Sequence, residues 1–212
     1  MLEKILAEAA DGLFPSADGS VTVVPQPNER EAGVIAFSAH AVVFTEEDPA
    51  WIRETIAASP ADQLAAPMSP FFLSAFAERT GRVINTIDLL TVADRLPGEP
   101  PLPMRQIEDH EHPRIVRALL FRDDVRAWTT PGGVLVLGRG VAGRWEAAIE
   151  VDPQARGRGL GRALAVTARH LLPEGEHLWA QQSPGNATSV RTFQAAGYRP
   201  VGSEALLVHH TG

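Results

Sequence analysis

The sequence contains no cysteine, and its 19 strongly basic residues are 18 arginines and a single lysine, Lys4. The absence of cysteine excludes disulfides, cysteine-based zinc sites and cysteine nucleophiles. It also fits the reducing interior of a cell, so we predict a cytoplasmic protein. The scarcity of lysine excludes a Walker phosphate loop, which needs Gly-Lys-Ser/Thr, and restricts a Schiff-base lysine to Lys4.

Long apolar runs are missing as well. The first residues, MLEKILAEAADG, include Glu3 and Glu8, so they predict a short amphipathic helix ending at Gly12 rather than a signal peptide or a membrane span. The net charge of -7 argues against nucleic-acid binding, because a phosphate backbone requires a basic face. We therefore expect neither nucleic acid nor membrane as a partner.

The negative charge is unevenly distributed along the chain. Residues 1–100 hold 6 basic and 15 acidic side chains, a net charge of -9, whereas residues 101–212 hold 13 and 11, a net charge of +2. Between them, the proline-rich stretch 96–103 forbids regular structure. We predict an N-terminal α/β segment over 1–100, as a degenerate or substrate-side half, and a second domain over 101–212 that takes an anionic ligand.

The periodicity of apolar residues predicts an α/β protein, in the wide sense that includes α+β. In the first half we expect strands at 21–24, 33–44 and 82–92, a helix opened by Asp48-Pro49 and a helix ending at Gly81. In the second half, a helix over 112–124 is expected to bury the face formed by Ile115, Val116, Leu119 and Leu120. Three antiparallel strands, a long helix, a strand at 178–182, a helix at 186–197 and a strand at 205–208 follow.

The most informative stretch is the glycine-rich turn that joins the strand ending at Val151 to the long helix. Gly157, Gly159 and Gly161 alternate there, so backbone N–H groups and the helix dipole can approach a phosphate. Four arginines against one acid give residues 151–170 a charge of +3. A dinucleotide fingerprint is excluded, because its third glycine and its acidic residue are both missing. A tight strand-to-helix connection remains the alternative.

Two motifs in this order resemble the GNAT superfamily of acyl-CoA-dependent N-acetyltransferases. The first is Arg156-x-x-Gly159-x-Gly161 after the strand WEAAIEVDP. The second is Asn186-x-x-Ser189-x-x-x-Phe193-x-x-x-Gly197-Tyr198 after the next strand. The resemblance implies a GNAT-like mixed, mostly antiparallel sheet flanked by helices, preceded by the N-terminal α/β segment. It also implies that the sheet is splayed between the strands at 145–151 and 178–182.

The resemblance further implies acetyl-CoA as the acyl donor and no metal. The residues that would bind the donor are Ile149, Val151, Arg156, Gly157, Arg158, Gly159, Leu160, Gly161, Arg162, Asn186 and Phe193. An arginine at 158, 162 or 191 would meet the outlying ribose phosphate.

Catalysis would need a base for the acceptor amine. Glu146 and Glu150 lie an even number of residues apart, so they share one face of the strand. We predict Glu146 as the base, the alternative being that both carboxylates are merely solvated. The family's usual proton-donating tyrosine is replaced by Phe193, which cannot donate. The leaving thiolate would then take its proton from water or from Ser189, or would leave without a proton donor.

The sequence thus predicts an N-acetyltransferase that moves an acetyl group to an amine of a small molecule or peptide by direct attack, because no cysteine is present. The acidic first half would favour a cationic amine by steering. A non-catalytic acyl-CoA sensor or interaction module is the alternative, and the oligomeric state, with a homodimer as one option, stays open. His110-x-His112 is interpreted as a helix start rather than a metal site.

Overall fold

A computed structural model of the chain describes residues 1–108 and 111–209, which form six helices and ten strands. The helices are α1 Leu2–Ala10, α2 Pro49–Ala57, α3 Pro70–Thr80, α4 Pro113–Phe121, α5 Leu160–His170 and α6 Ala187–Ala195. The strands are β1 Val21–Val24, β2 Glu31–Phe37, β3 His40–Phe44, β4 Val83–Asp94, β5 Arg105–Ile107, β6 Asp123–Thr130, β7 Gly133–Arg139, β8 Trp145–Val151, β9 His177–Gln182 and β10 Arg199–Val208. The predicted α/β class is confirmed. Within the described residues, no helix is both long and apolar enough to cross a bilayer.

The chain forms two compact units, one of residues 1–89 with the strand after Pro200, the other of Leu90–Pro200. The proline-rich stretch 96–103 therefore lies inside the second unit. Both β4 and β10 contribute residues to each unit, because these strands continue without a break through the points of division. The division into domains over 1–100 and 101–212 stays a prediction.

In the first unit the strands follow the order β1-β3-β2-β10-β4. β1 pairs parallel with β3, and β2 pairs antiparallel with both β3 and β10. The Asp48 side chain caps α2 by accepting from the Ala50 N–H at 2.8 Å, and Gly81 ends α3 with φ +63°. Phe72 and Phe76 stack with ring centroids 5.4 Å apart in the core of this unit, whereas Phe71 of the same aromatic stretch is 46% exposed.

In the second unit the order is β4-β9-β8-β7-β6-β5. The strands β5 to β8 pair antiparallel in sequence, and β8 pairs parallel with β9. The sheet is thus mixed and mostly antiparallel, as predicted. One face packs against α5 and α6 through a cluster that includes Leu164 and Phe193, and the other packs against α4 through Ile115 and Ala118.

The predicted buried face of α4 is wrong in part. Ile115 is buried, and Ala118 lies beside it, but Val116, Leu119 and Leu120 are 40%, 47% and 54% exposed. At 100° per residue the stripe between Ile115 and Ala118 points away from Val116 and Leu120. Apolar residues surround this short helix, so the pattern alone does not show which stripe faces the sheet.

We expect Gly33→Ala to destabilise the first unit by about 1 to 3 kcal/mol, the cost of overpacking a core. A Cβ at Gly33 would lie 2.5 Å from Phe44 Cζ and 2.6 Å from the Ala205 carbonyl oxygen. Gly185→Ala is the matched control, because its Cβ would meet only Ser183 Oγ at 3.8 Å. Denaturant unfolding measures both variants, and equal losses of stability would contradict the packing argument.

Candidate functional site

A gap opens in the sheet of the second unit between β8 and β9. Their parallel pairing joins Trp145 to Leu178 and Glu146 to Trp179, whereas β8 pairs with β7 from Trp145 to Val151. Over residues 147–151, all of which the structure describes, β8 has no partner in β9. The predicted splay is therefore present, and one edge of β8 is open beside Ile149 and Val151.

The glycine-rich turn lies at the carboxyl end of that open edge. Gly157 has φ +74°, and Gly159, the residue before α5, has φ +81°. Both values lie in the left-handed region that glycine adopts without steric cost. An added Cβ at either position would meet nothing within 4 Å. The space in front of the turn is therefore open to a ligand.

The turn presents a run of uncommitted backbone donors. Among the described residues, no acceptor is found for the backbone N–H groups of residues 157–162, while the Ala163 N–H begins the helical bonding by donating to the Gly159 carbonyl at 3.1 Å. Such N–H groups at a helix start carry a partial positive charge. Arg158, Arg162 and Arg191 are exposed and have no partner in the described part of the chain.

The other two arginines near the turn are engaged by the protein. Arg156 Nε donates to the Val151 carbonyl at 3.1 Å and so braces the turn against β8. Arg169 donates from Nε to the Asp94 carbonyl and from Nη1 to the Ala196 carbonyl, each at 2.8 Å. The positive charge that faces a ligand is therefore smaller than the +3 counted over residues 151–170, because Arg169 ties α5 to its neighbours.

The second motif forms the start of α6. Asn186 is exposed and caps this helix, its Oδ1 accepting from the Ser189 N–H at 3.1 Å. Phe193 is only 4% exposed and packs edge-on against Tyr198 with ring centroids 4.9 Å apart. Tyr198 donates its hydroxyl to the Ala165 carbonyl at 3.2 Å, and burial raises its pKa. Both rings therefore serve the core, and neither offers a proton.

Residues 147–206 match the protein family described as FR47-like protein. This segment starts inside β8, includes the glycine-rich turn, α5, β9 and α6, and ends in β10. The match covers 60 of the 212 residues of the chain. No curated protein matches the sequence.

Three solved structures are similar to the chain. A putative acetyltransferase of the GNAT family from Novosphingobium aromaticivorans DSM 12444 is 16% identical, with 62% of this chain and 69% of that chain covered and a TM-score of 0.43. A GCN5-related N-acetyltransferase from Kribbella flavida is 17% identical, with 100% and 95% covered and a TM-score of 0.46. An acetyltransferase of the GNAT family from Colwellia psychrerythraea is 9% identical, with 84% and 81% covered and a TM-score of 0.45.

Glu146 lies where β8 and β9 part, and it is 4% exposed. Arg144 Nε donates to its Oε1 at 2.8 Å, and Arg122 Nε donates to its Oε2 at 2.9 Å. Gln181 Nε2 donates to Oε1 at 3.0 Å. A Cβ at Gly140 would collide with this carboxylate. Three donor side chains and one glycine, at four positions in the sequence, thus enclose one buried anion.

These arginines determine the charge state of Glu146. Burial by itself would raise the pKa of the carboxyl, but the charges of Arg144 and Arg122 outweigh it and hold the pKa below its usual value. The carboxylate is therefore ionised at neutral pH and fully committed to hydrogen bonds. A base of lowered pKa is a poor proton acceptor, so the geometry favours a structural role for the residue predicted as the base.

Glu150 is the more accessible carboxylate on the same face of β8. It is partly exposed, and it accepts from Arg114 Nε of α4 at 3.2 Å. A cleft of about 820 Å³ lies on the neighbouring strands, lined by residues that include Arg105, Thr129 and Val134. Val134 is the cross-strand partner of Glu150, so this carboxylate lies beside the cleft.

The two-histidine motif is divided between described and undescribed residues. His112 Nδ1 accepts from the Arg114 N–H at 3.2 Å and caps α4, which is the helix-start role. Asp109 and His110 lie outside the described residues. Within the described ranges, no group of three His, Asp or Glu side chains is placed to hold a metal ion.

Sequence reasoning missed the partners of Glu146. Arg122 follows α4 and Gln181 lies on β9, both far from Glu146 in sequence. Arg144 is only two residues before Glu146, but no motif links the two. The available signal was an acidic residue flanked by apolar residues in a predicted strand. Such a pattern indicates a buried carboxylate, which needs charged partners.

Glu146→Gln should cost about 3 to 5 kcal/mol of stability at pH 7, because it leaves Arg144 and Arg122 in place without their anion. The lowered pKa also gives a pH dependence. The ionised carboxylate stabilises the fold above its usual pKa of 4.5, and this contribution is lost as the pH falls through the lower, folded-state pKa. The difference in the free energy of unfolding between wild type and variant should therefore become smaller at acidic pH.

Denaturant unfolding between pH 7 and pH 3 measures this effect, with Glu150→Gln as the matched control on the same strand. The partly exposed ion pair between Glu150 and Arg114 should contribute less than about 1 kcal/mol to the free energy of unfolding. A Glu146→Gln protein as stable as wild type at pH 7 would contradict the described role of the carboxylate.

Proposed function

We propose that the protein is an N-acetyltransferase that moves the acetyl group of acetyl-CoA to an amine of a small molecule or peptide. The observation that carries this proposal is the meeting of the open edge of β8 with the uncommitted N–H groups of residues 157–162. Together they offer a strand edge for an extended amide-containing arm and a donor-rich turn for a pyrophosphate. The family match over residues 147–206 supports the same conclusion.

The residues of this chain fit such a donor. The N–H groups from Gly157 to Arg162 would hold the pyrophosphate, and the polar backbone of 147–151 would bond the arm beside Ile149 and Val151. Arg158, Arg162 and Arg191 are the exposed cations available to the outlying phosphate. Acetyl-CoA would supply an acyl group activated as a thioester.

The absence of cysteine excludes a thioester intermediate on the protein and favours direct attack. The bond between amine nitrogen and acyl carbon forms as the carbon–sulfur bond breaks, and the amine loses one proton. We propose that Glu150 accepts this proton, directly or through water, because Glu146 is fully bonded to Arg144 and Arg122. The thiolate would take its proton from solvent, since Phe193 and Tyr198 are both buried in the core.

Gly159→Val should abolish binding of CoA. The side chain would project into the open space in front of the turn, where the wild type offers its N–H groups. Gly175→Val is the matched control, because Gly175 has φ +79° and equally open surroundings but lies away from the turn. With CoA at 100 times its dissociation constant, wild type and control should gain about 2.7 kcal/mol of stability. Thermal melting with and without CoA measures this gain. The same gain in Gly159→Val would contradict the proposal that this turn binds CoA.

Glu150→Gln should lower kcat about 100-fold, the usual contribution of a general base. The assay is thiol release from acetyl-CoA across a panel of amines. Glu146→Gln, assayed where it is folded, should retain most of the wild-type kcat. If Glu146→Gln loses this activity and Glu150→Gln keeps it, the base is Glu146.

A non-catalytic acyl-CoA sensor is the second candidate. The burial of Phe193, at the position where the family's proton donor is expected, favours it. CoA-dependent stabilisation without thiol release from any amine of the panel would support the sensor. The cytoplasmic location stays a prediction from composition.

A further inference from the structure

The cleft beside α4 continues a row of side chains that crosses four strands. Arg105 of β5 is the cross-strand partner of Thr129, Thr129 of Val134, and Val134 of Glu150. Directly opposed residues of antiparallel strands share a face. Arg105, Thr129 and Val134 line the cleft, so the row has a guanidinium at one end and a carboxylate at the other.

The guanidinium of Arg105 is available for a ligand. Arg105 is exposed, and the described residues include no hydrogen-bond or ion-pair partner for it. Arg114, the other arginine near this row, is already tied to Glu150 at 3.2 Å. Arginine binds carboxylates through two parallel N–H···O bonds. Arg105 is therefore the cation of this cleft that can receive an anionic group.

The spacing of the row limits the size of a ligand that touches both ends. Neighbouring strands lie about 4.8 Å apart, so three spacings separate the Cα atoms of Arg105 and Glu150 by about 14 Å. The two long side chains reduce the distance between the charged groups. A compact molecule with an amine and an anionic group several bonds apart would fit, whereas an amine without an anion would leave Arg105 unused.

We infer that the acceptor is a zwitterionic amine, such as an ω-amino acid or a short peptide, and that Arg105 selects it by binding its carboxylate. This inference rests on the proposed function for the role of the amine. It differs from the steering of a purely cationic amine that the acidic first half suggested, because the cleft lies wholly within the second unit.

The test compares 6-aminohexanoate with hexylamine, which has the same chain length and no carboxylate. Calorimetry on the protein without CoA measures binding, and acetyl transfer gives kcat and KM. We expect Arg105→Ala to weaken binding of 6-aminohexanoate and raise its KM at least 10-fold, with kcat and the values for hexylamine unchanged. Arg105→Lys should restore part of the loss, because it keeps the charge without the bidentate geometry.

Arg117→Ala is the matched control, because Arg117 is an exposed arginine of α4 whose guanidinium lies over the Phe121 ring at 5.4 Å and which does not line the cleft. Equal binding and transfer of both amines, unchanged by Arg105→Ala, would overturn the inference and leave the proposed function standing. Arg105-dependent binding of 6-aminohexanoate with no transfer to any amine would instead overturn the proposed function and support the cleft as a binding site.

Discussion

The buried ion cluster around Glu146 is the constraint on which the site depends. It lies at the last point where β8 and β9 are paired, and it draws on Arg122, Arg144 and Gln181. A carboxylate can be buried there only because two guanidinium groups and an amide satisfy both of its oxygens. The bond from Gln181 also ties β9 to β8 at the apex of the gap. The cluster therefore lies where the sheet stops being continuous and where the proposed donor arm would enter.

The rest of the donor site follows from local backbone rules. Gly157 and Gly159 adopt left-handed conformations, so the chain turns sharply from β8 into α5 and leaves its first N–H groups without acceptors. Arg156 braces this turn from one side, and Arg169 anchors the far end of α5. A rigid helix start can present donors to an anion without reorganisation.

Features carried by adjacent residues could be predicted from the sequence. The helix start at Asp48-Pro49, the three antiparallel strands of the second half and the glycine-rich turn all follow from short patterns with a local physical cause. Features formed by residues from different elements could not be predicted in this way. The partners of Glu146 come from several elements, and the row from Arg105 to Glu150 exists only once the registers of four strands are known. For α4, apolar residues on every side left the buried stripe undetermined.

Arginine side chains tie elements of the second unit together. Arg122, Arg144 and Arg169 all bond to groups inside the fold, and the one lysine, Lys4, is 80% exposed on α1 in a pair with Glu8. A guanidinium keeps its proton at any physiological pH and is a very weak nucleophile, whereas a lysine amine can be acylated. If the proposed thioester donor binds here, the structural cations of the protein are chemically inert toward it.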